Sequence, residues 1–101
     1  MKLEQQQEIV RALVSDYASK HALKTLPYDL VVFASNHIIE IGTSILCTKW
    51  NVGYPGGDFV QAVVDNDLRE AFGRADDVNQ HCIKFYLMLM YNVGAPASLF
   101  Q

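Results

Sequence analysis

The sequence is poor in charge and in cysteine, and each scarcity excludes a class of protein. Charged residues make up 19% of the 101 residues, and the net charge is −3. A general nucleic-acid-binding protein needs a basic face, so we expect no nucleic-acid partner. The two cysteines, Cys47 and Cys82, are far apart and form no CxxC pair. We therefore predict two free, buried thiols in a reducing compartment rather than a disulfide scaffold.

Long apolar segments are also missing. Residues 1–8 are mostly polar and contain no apolar h-region, so we expect no signal peptide. The apolar stretch at residues 30–50 carries charged and polar side chains, and the one at residues 85–93 is too short to span a bilayer. We therefore expect no membrane partner and a cytoplasmic protein.

Apolar residues at helical spacing are what the sequence has in abundance. Half of the residues are hydrophobic, and a chain of this length can bury a core without a metal or a disulfide. The predicted fold is all-α, with one domain over residues 1–101. It is a compact bundle of about four helices, which we place at residues 3–23, 30–49, 58–72 and 77–92. The β-branched residues of the second segment leave strands at 30–33 and 38–46 as an alternative.

Local signals around the third and fourth predicted helices favour capped ends. Asp58 followed by Gln61 fits the capping box, in which two side chains satisfy backbone N–H groups at a helix start. Asp76 followed by Asn79 repeats the pattern at the fourth helix. Gly73 is a natural left-handed stop between the two helices. The four capping residues are therefore predicted to be structural.

Residues 55–96 carry a longer motif. It reads Pro-x-Gly-Asp-Phe-x-x-Ala-Val-x-x-Asn-Asp-Leu-x-x-Ala-Phe-Gly-Arg-Ala-Asp-x-x-Asn and is followed by Tyr91-Asn92 and Pro96. This order resembles that of a large group of small, uncharacterised bacteriophage and prophage proteins. The most specific part is Asn66-Asp67-Leu68, together with Ala75-Asp76 and Asn79. Residues 1–50 resemble no family that we can name.

The match departs from the group at three places. Gly56 stands where a second proline is frequent, the step from Asn92 to Pro96 is longer, and a tryptophan-glycine tail is missing. The resemblance implies a phage-type protein in the cytoplasm of a host cell. It implies no known activity and transfers no catalytic residue.

His37 and Glu40 lie three residues apart on the second predicted helix and so share a face. With Asp76 they could hold a divalent metal, which makes a small metal-dependent hydrolase an alternative function. Di-iron bundles need Glu-x-x-His motifs, and the sequence has none. His81 stands next to Cys82, but adjacent helical residues point about 100° apart. We therefore predict no catalytic residue, metal or cofactor, and keep His37 and Glu40 as weak binding candidates.

Asn66 and Asp67 lie near the apolar boundary of the third predicted helix, where a carboxylate needs hydrogen-bond partners. We predict that these two residues tie the loop at residues 50–57 to the helix through the backbone N–H groups of the loop. The alternative is that this corner binds a partner, which makes both residues binding candidates.

Three apolar side chains fall on the outer stripes of the second and fourth predicted helices: Phe33, Met88 and Tyr91. Contiguous exposed apolar residues usually mark an interface. We therefore predict a homo-oligomer, most simply a two-fold dimer centred on the C-terminal half of the fourth helix. The expected function is a non-enzymatic phage accessory protein that acts by protein–protein contact. A small-ligand binder between the second and fourth helices is a further alternative.

Overall fold

The computed structural model describes the backbone of residues 1–101 and every side chain except those of residues 22–25, 32 and 33. Along this backbone the chain forms six α-helices, a final 3₁₀-helix and no strand. The helices are α1 Leu3–Thr25, α2 Tyr28–Phe33, α3 Ser35–Lys49, α4 Asp58–Val64, α5 Leu68–Arg74 and α6 Asp77–Asn92, and the 3₁₀-helix is Ala97–Phe100. The predicted all-α class is confirmed, and the strand alternative is wrong. None of the described helices combines the length and apolar composition that a membrane span requires.

The second predicted helix is two helices, because the chain bends at Ala34. The φ and ψ angles of Ala34 are −122° and 15°, outside the helical range. Its N–H still donates to Leu30 O at 3.0 Å, and its carbonyl accepts from Ile38 N–H at 2.9 Å. Hydrogen bonds therefore continue on both sides of a kink. Ser35 and Asn36 follow at once, and such side chains compete with helical backbone bonds.

The third predicted helix is also two helices, and the break is made by Asn66. This residue has a positive φ of 60°. Its N–H donates to Val63 O at 3.1 Å, and the N–H of Asp67 donates to Ala62 O at 2.9 Å. This pair of bonds is the Schellman motif, which ends a helix where asparagine or glycine adopts the left-handed conformation. The turn at residues 65–67 thus separates α4 from α5.

Asn51 ends α3 in the same way. Its φ is 58°, and the following N–H, of Val52, donates to Cys47 O at 2.8 Å. Val52 is buried beside Cys47, which supplies the apolar contact that usually accompanies this motif. The loop after α3 therefore leaves the helix in a fixed direction.

The predicted capping box at the start of α4 is wrong. Gly57 is the N-cap, with no side-chain cap, and Asp58 is the first residue of the helix. Gln61 instead donates from Nε2 to Gly56 O at 2.7 Å. Gly73 lies within α5, and among the described glycines only Gly53 has a positive φ, so the predicted left-handed stop is absent. Two short helices fill the segment where one capped helix was expected.

The core surrounds α3, which contacts α1, α2, α4 and α6. Ile38 and Ile45 of α3 belong to one cluster of buried residues, which also contains Phe59, Val60, Val63, Ala71, Cys82, Phe85 and Tyr86. Leu46 and Cys47 belong to a second cluster, whose other members are Val10, Val14, Val52, Leu89 and Leu99. A helix that is apolar on most of its faces is central for this reason.

The second cluster joins α1 to the 3₁₀-helix near the end of the chain. Leu99 is fully buried among the valines of α1. Gln6 on α1 donates from Nε2 to Leu99 O at 2.9 Å. Leu99 therefore anchors the final segment to the core, while its neighbours Ser98 and Phe100 stay exposed.

Gly42 lets α3 approach its neighbours closely, so Gly42→Ala is expected to destabilise the protein. An added Cβ would meet Val14 Cγ1 at 2.9 Å and Leu89 Cδ2 at 3.0 Å. Overpacking of this kind costs roughly 1–3 kcal/mol, while the gain in helix propensity is about 1 kcal/mol. Urea unfolding, monitored by circular dichroism, measures the net loss in the free energy of unfolding.

Gly73→Ala is the matched control. Gly73 also lies within a helix, but no atom is within 4 Å of an added Cβ. This variant should gain about 0.5–1 kcal/mol. If both variants changed the free energy of unfolding by the same amount, the close approach at Gly42 would be contradicted.

Candidate functional site

A polar cluster lies where the first turn of α6 meets α3, and Asn79 is at its centre. Asn79 is the buried polar residue among the described side chains. Its Oδ1 accepts a hydrogen bond from the Tyr86 hydroxyl at 3.1 Å and lies 3.1 Å from His37 Nε2. Its backbone N–H donates to Asp76 Oδ1 at 2.7 Å, so Asp76 holds the N-cap position of α6. The Asn79 side chain, which the sequence assigned to the cap, instead connects α3 to α6.

His37 closes the cluster on its solvent side. Since Asn79 Oδ1 only accepts, the imidazole donates from Nε2 in this contact. The same nitrogen is 3.9 Å from Asp76 Oδ2, and the two side chains are 40% and 58% exposed. A pair this exposed contributes little to stability. The histidine therefore orients the amide of Asn79 rather than anchoring a strong ion pair.

Cys82 and Tyr86 form the buried side of the cluster. Burial raises the pKa of the Cys82 thiol from 9.0 to about 11, although a hydrogen bond with Tyr86 lowers it in part. Burial likewise raises the pKa of the Tyr86 hydroxyl well above its ordinary value, and the neighbouring Cys82 and Asp76 add to this effect. At neutral pH both groups are protonated, and Cys82 has no solvent exposure. A neutral, enclosed thiol is not a nucleophile.

The three residues of the alternative metal site, His37, Glu40 and Asp76, do not form one group. His37 and Asp76 come together, but Glu40 is exposed and forms no hydrogen bond or ion pair within the described part of the chain. The described residues contain no group of three His, Cys, Asp or Glu side chains that could hold a metal ion. His81 is exposed, and its Nδ1 lies 2.8 Å from Asp77 O, so the ring does not pair with Cys82.

The cluster links α3 to α6, and its buried polar atoms are hydrogen-bonded. No described side-chain nitrogen or oxygen that is buried lacks a hydrogen-bond partner. Sequence reasoning missed the roles of Asn79 and Tyr86. The available signal was their spacing, because Asn79, Cys82 and Tyr86 are three and four residues apart and so share the inner face of α6.

The Asn66–Asp67 corner builds the turn between α4 and α5. Asp67 is the N-cap of α5, and its Oδ1 accepts from Glu70 N–H at 3.1 Å. The predicted tie to the loop at residues 50–57 is wrong, because the loop is held elsewhere. Gly56 N–H donates to Thr48 Oγ1 at 2.9 Å, and Gln61 bonds the carbonyl of the same glycine.

An exposed apolar surface covers the C-terminal half of α6. Met88 is 39% exposed and Tyr91 is 87% exposed. Beside them runs an open groove of about 390 Å³, lined by Lys49, Val64, Asn66, Leu87, Met90 and Tyr91. We call these residues with Met88 the α6 surface. Asn66 and Tyr91, which the sequence singled out for separate reasons, therefore lie on one surface.

The other predicted positions lie apart from this surface. Phe33, the third interface candidate, has a side chain outside the described residues. Between α2 and α6, where a small-ligand site was an alternative, the structure has an open groove. The described residues that line it are Pro27, Asp29, Leu30, Asp77, Val78 and His81.

Comparison of the chain with protein families, curated proteins and solved structures finds no match. The resemblance of residues 55–96 to phage and prophage proteins therefore stays a prediction.

Asp67→Ala is expected to lower the free energy of unfolding by about 1 kcal/mol, because α5 loses its N-terminal cap. Asp67→Ser is the matched control, since serine also accepts from the N–H three residues on. Thermal unfolding followed by circular dichroism compares the three proteins. A melting temperature that is the same for Asp67→Ala and for the original chain would show that the cap does not stabilise α5.

The free energy of unfolding is also expected to fall as the pH rises above about 9. The Cys82 thiol has an ordinary pKa of 9.0 and a pKa of about 11 in the folded protein. Between these values the unfolded chain releases a proton that the folded chain keeps, so stability decreases with rising pH. Below pH 9.0 both states keep this proton, and the contribution of Cys82 is constant.

Cys82→Ala separates this contribution from that of the other buried thiol. Burial also raises the pKa of Cys47, and Cys47 is present in both proteins. Urea unfolding between neutral pH and about pH 10 should therefore show a smaller loss of stability in the variant. Parallel pH profiles of the two proteins would mean that Cys82 does not keep its proton in the folded state.

Proposed function

We propose that the protein is a non-enzymatic, phage-type accessory protein that acts by protein–protein contact through the α6 surface. The observation that carries the proposal is the exposure of Met88 and Tyr91, three residues apart on α6, next to a groove that Tyr91 and Asn66 line. The phage-type origin rests on the resemblance of residues 55–96 and on nothing else.

The composition of the α6 surface supports contact with another protein. Val64, Leu87 and Met90 supply apolar area, and Tyr91 adds an aromatic ring that the fold itself does not cover. Tyrosine and methionine are enriched in the cores of protein interfaces. Lys49 and Asn66 place polar groups at the edge of the same groove, as an interface rim requires.

The chemistry of the polar cluster supports the same proposal. Its hydrogen bonds join α3 to α6, and its thiol and phenol hold their protons at neutral pH. A hydrolase would require an activated nucleophile or a metal-bound water. The α6 surface requires neither in order to act.

Affinity capture from a bacterial lysate tests the proposal, with the tagged chain and two tagged variants as baits. Met88→Glu places a carboxylate on the α6 surface and should abolish capture of a partner. Ala12→Glu adds the same charge at an exposed position of α1 and should leave capture unchanged. Circular dichroism checks that both variants fold. A partner captured equally by all three baits would contradict the role of the α6 surface.

A further inference from the structure

We propose that the α6 surface binds a second copy of this chain, with the two α6 helices antiparallel across a two-fold axis near Leu87. Lys84 of each copy then pairs with Asp65 of the other. This inference rests on the proposed function, because it names the partner of the same surface.

The shape of the surface suits a two-fold contact. Tyr91 stands out from α6 with 87% of its area exposed, and the groove of about 390 Å³ lies directly beside it. A two-fold interface places the same patch on both copies, so the patch must be complementary to itself. A projecting ring next to an apolar groove gives this patch both a protrusion and a depression, as a self-complementary surface requires.

The charges at the edge of the surface also suit this arrangement. Lys84 lies three residues before Leu87 on the outer stripe of α6, and Asp65 lies between the groove-lining residues Val64 and Asn66. Both side chains are exposed, and neither belongs to an ion pair among the described residues. The two charges lie at opposite ends of the apolar patch. Since neither is paired within the part of the chain that the structure describes, both are available to a second copy.

Antiparallel packing brings these opposite charges together. The Val64–Asn66 segment lies beside the C-terminal half of α6, whereas Lys84 lies one turn before Leu87. Reversal of one helix across the axis places the lysine of one copy at the level of the other copy's aspartate. The symmetry makes two such pairs. Parallel packing would instead place each lysine beside its own equivalent.

An interface of ordinary size would occupy a modest part of the surface of the chain. A stable dimer buries about 800 Å² per subunit. The accessible surface of the chain is 6203 Å², so the interface would take roughly one eighth of it. The 16 residues of α6 extend over about 24 Å, and the α4–α5 turn widens this strip on one side.

Charge reversal tests the pairing in the purified protein. Lys84→Glu and Asp65→Lys should each weaken dimerisation roughly tenfold, because each places like charges opposite one another. The double variant restores two opposite pairs and should return to within about threefold of the original dissociation constant. Arg11→Glu, at an exposed position of α1, should have no effect. Light scattering measures the mass across a concentration series, and circular dichroism checks folding.

Two outcomes would overturn the inference. A double variant that dimerises as weakly as the single variants contradicts the Lys84–Asp65 pairing. An original chain that stays monomeric at several hundred micromolar contradicts the second copy as partner. If the chain is monomeric, the capture experiment still decides the proposed function. A different protein that is captured by the original chain but not by Met88→Glu would support the proposed function without a dimer. A monomer that captures nothing would remove both.

Discussion

The packing of α3 on several sides at once is the constraint on which the rest of the structure depends. Ile45 and Leu46 are adjacent and fully buried, yet they belong to different clusters. Covering both takes helices on more than one side, and α1, α4 and α6 occupy those positions. Gly42 sets the separation, since even one methyl group there would collide with side chains of α1 and α6.

The polar cluster shows how such a core accepts polar groups. An amide, an imidazole and a phenol meet between α3 and α6, and each of the observed bonds is made within the fold. Buried polar groups are tolerated when their partners are complete. In this cluster the Asn79 amide oxygen and the Tyr86 hydroxyl are both engaged within the fold.

Much of the helical content follows from the sequence, whereas the breaks within it do not. The apolar spacing of Val60, Val64, Leu68 and Ala71 runs through the turn at residues 65–67 without a gap, so periodicity alone predicts one helix. Asn66 is the residue that indicates the break, because asparagine tolerates the left-handed conformation that ends a helix in a Schellman motif. At the polar cluster, Asp76 was recognisable as a cap from local sequence. The bond from Asn79 to His37 was not, because it joins residues 42 positions apart. Only the packing of α3 on α6 brings them together.

The burial of Leu99 against α1 has a consequence for the order in which the chain can acquire its structure during synthesis. Val10 and Val14 are fully buried in a cluster that is complete only when Leu99 is present. The ribosome makes α1 first and Leu99 almost a full chain length later. Closing so long a loop is entropically costly, so the contact between Leu99 and α1 is expected to form late. The apolar stripe of α1 can first pack on α3, since Leu46 and Cys47 belong to the same cluster, and this cluster is completed only when Leu99 follows.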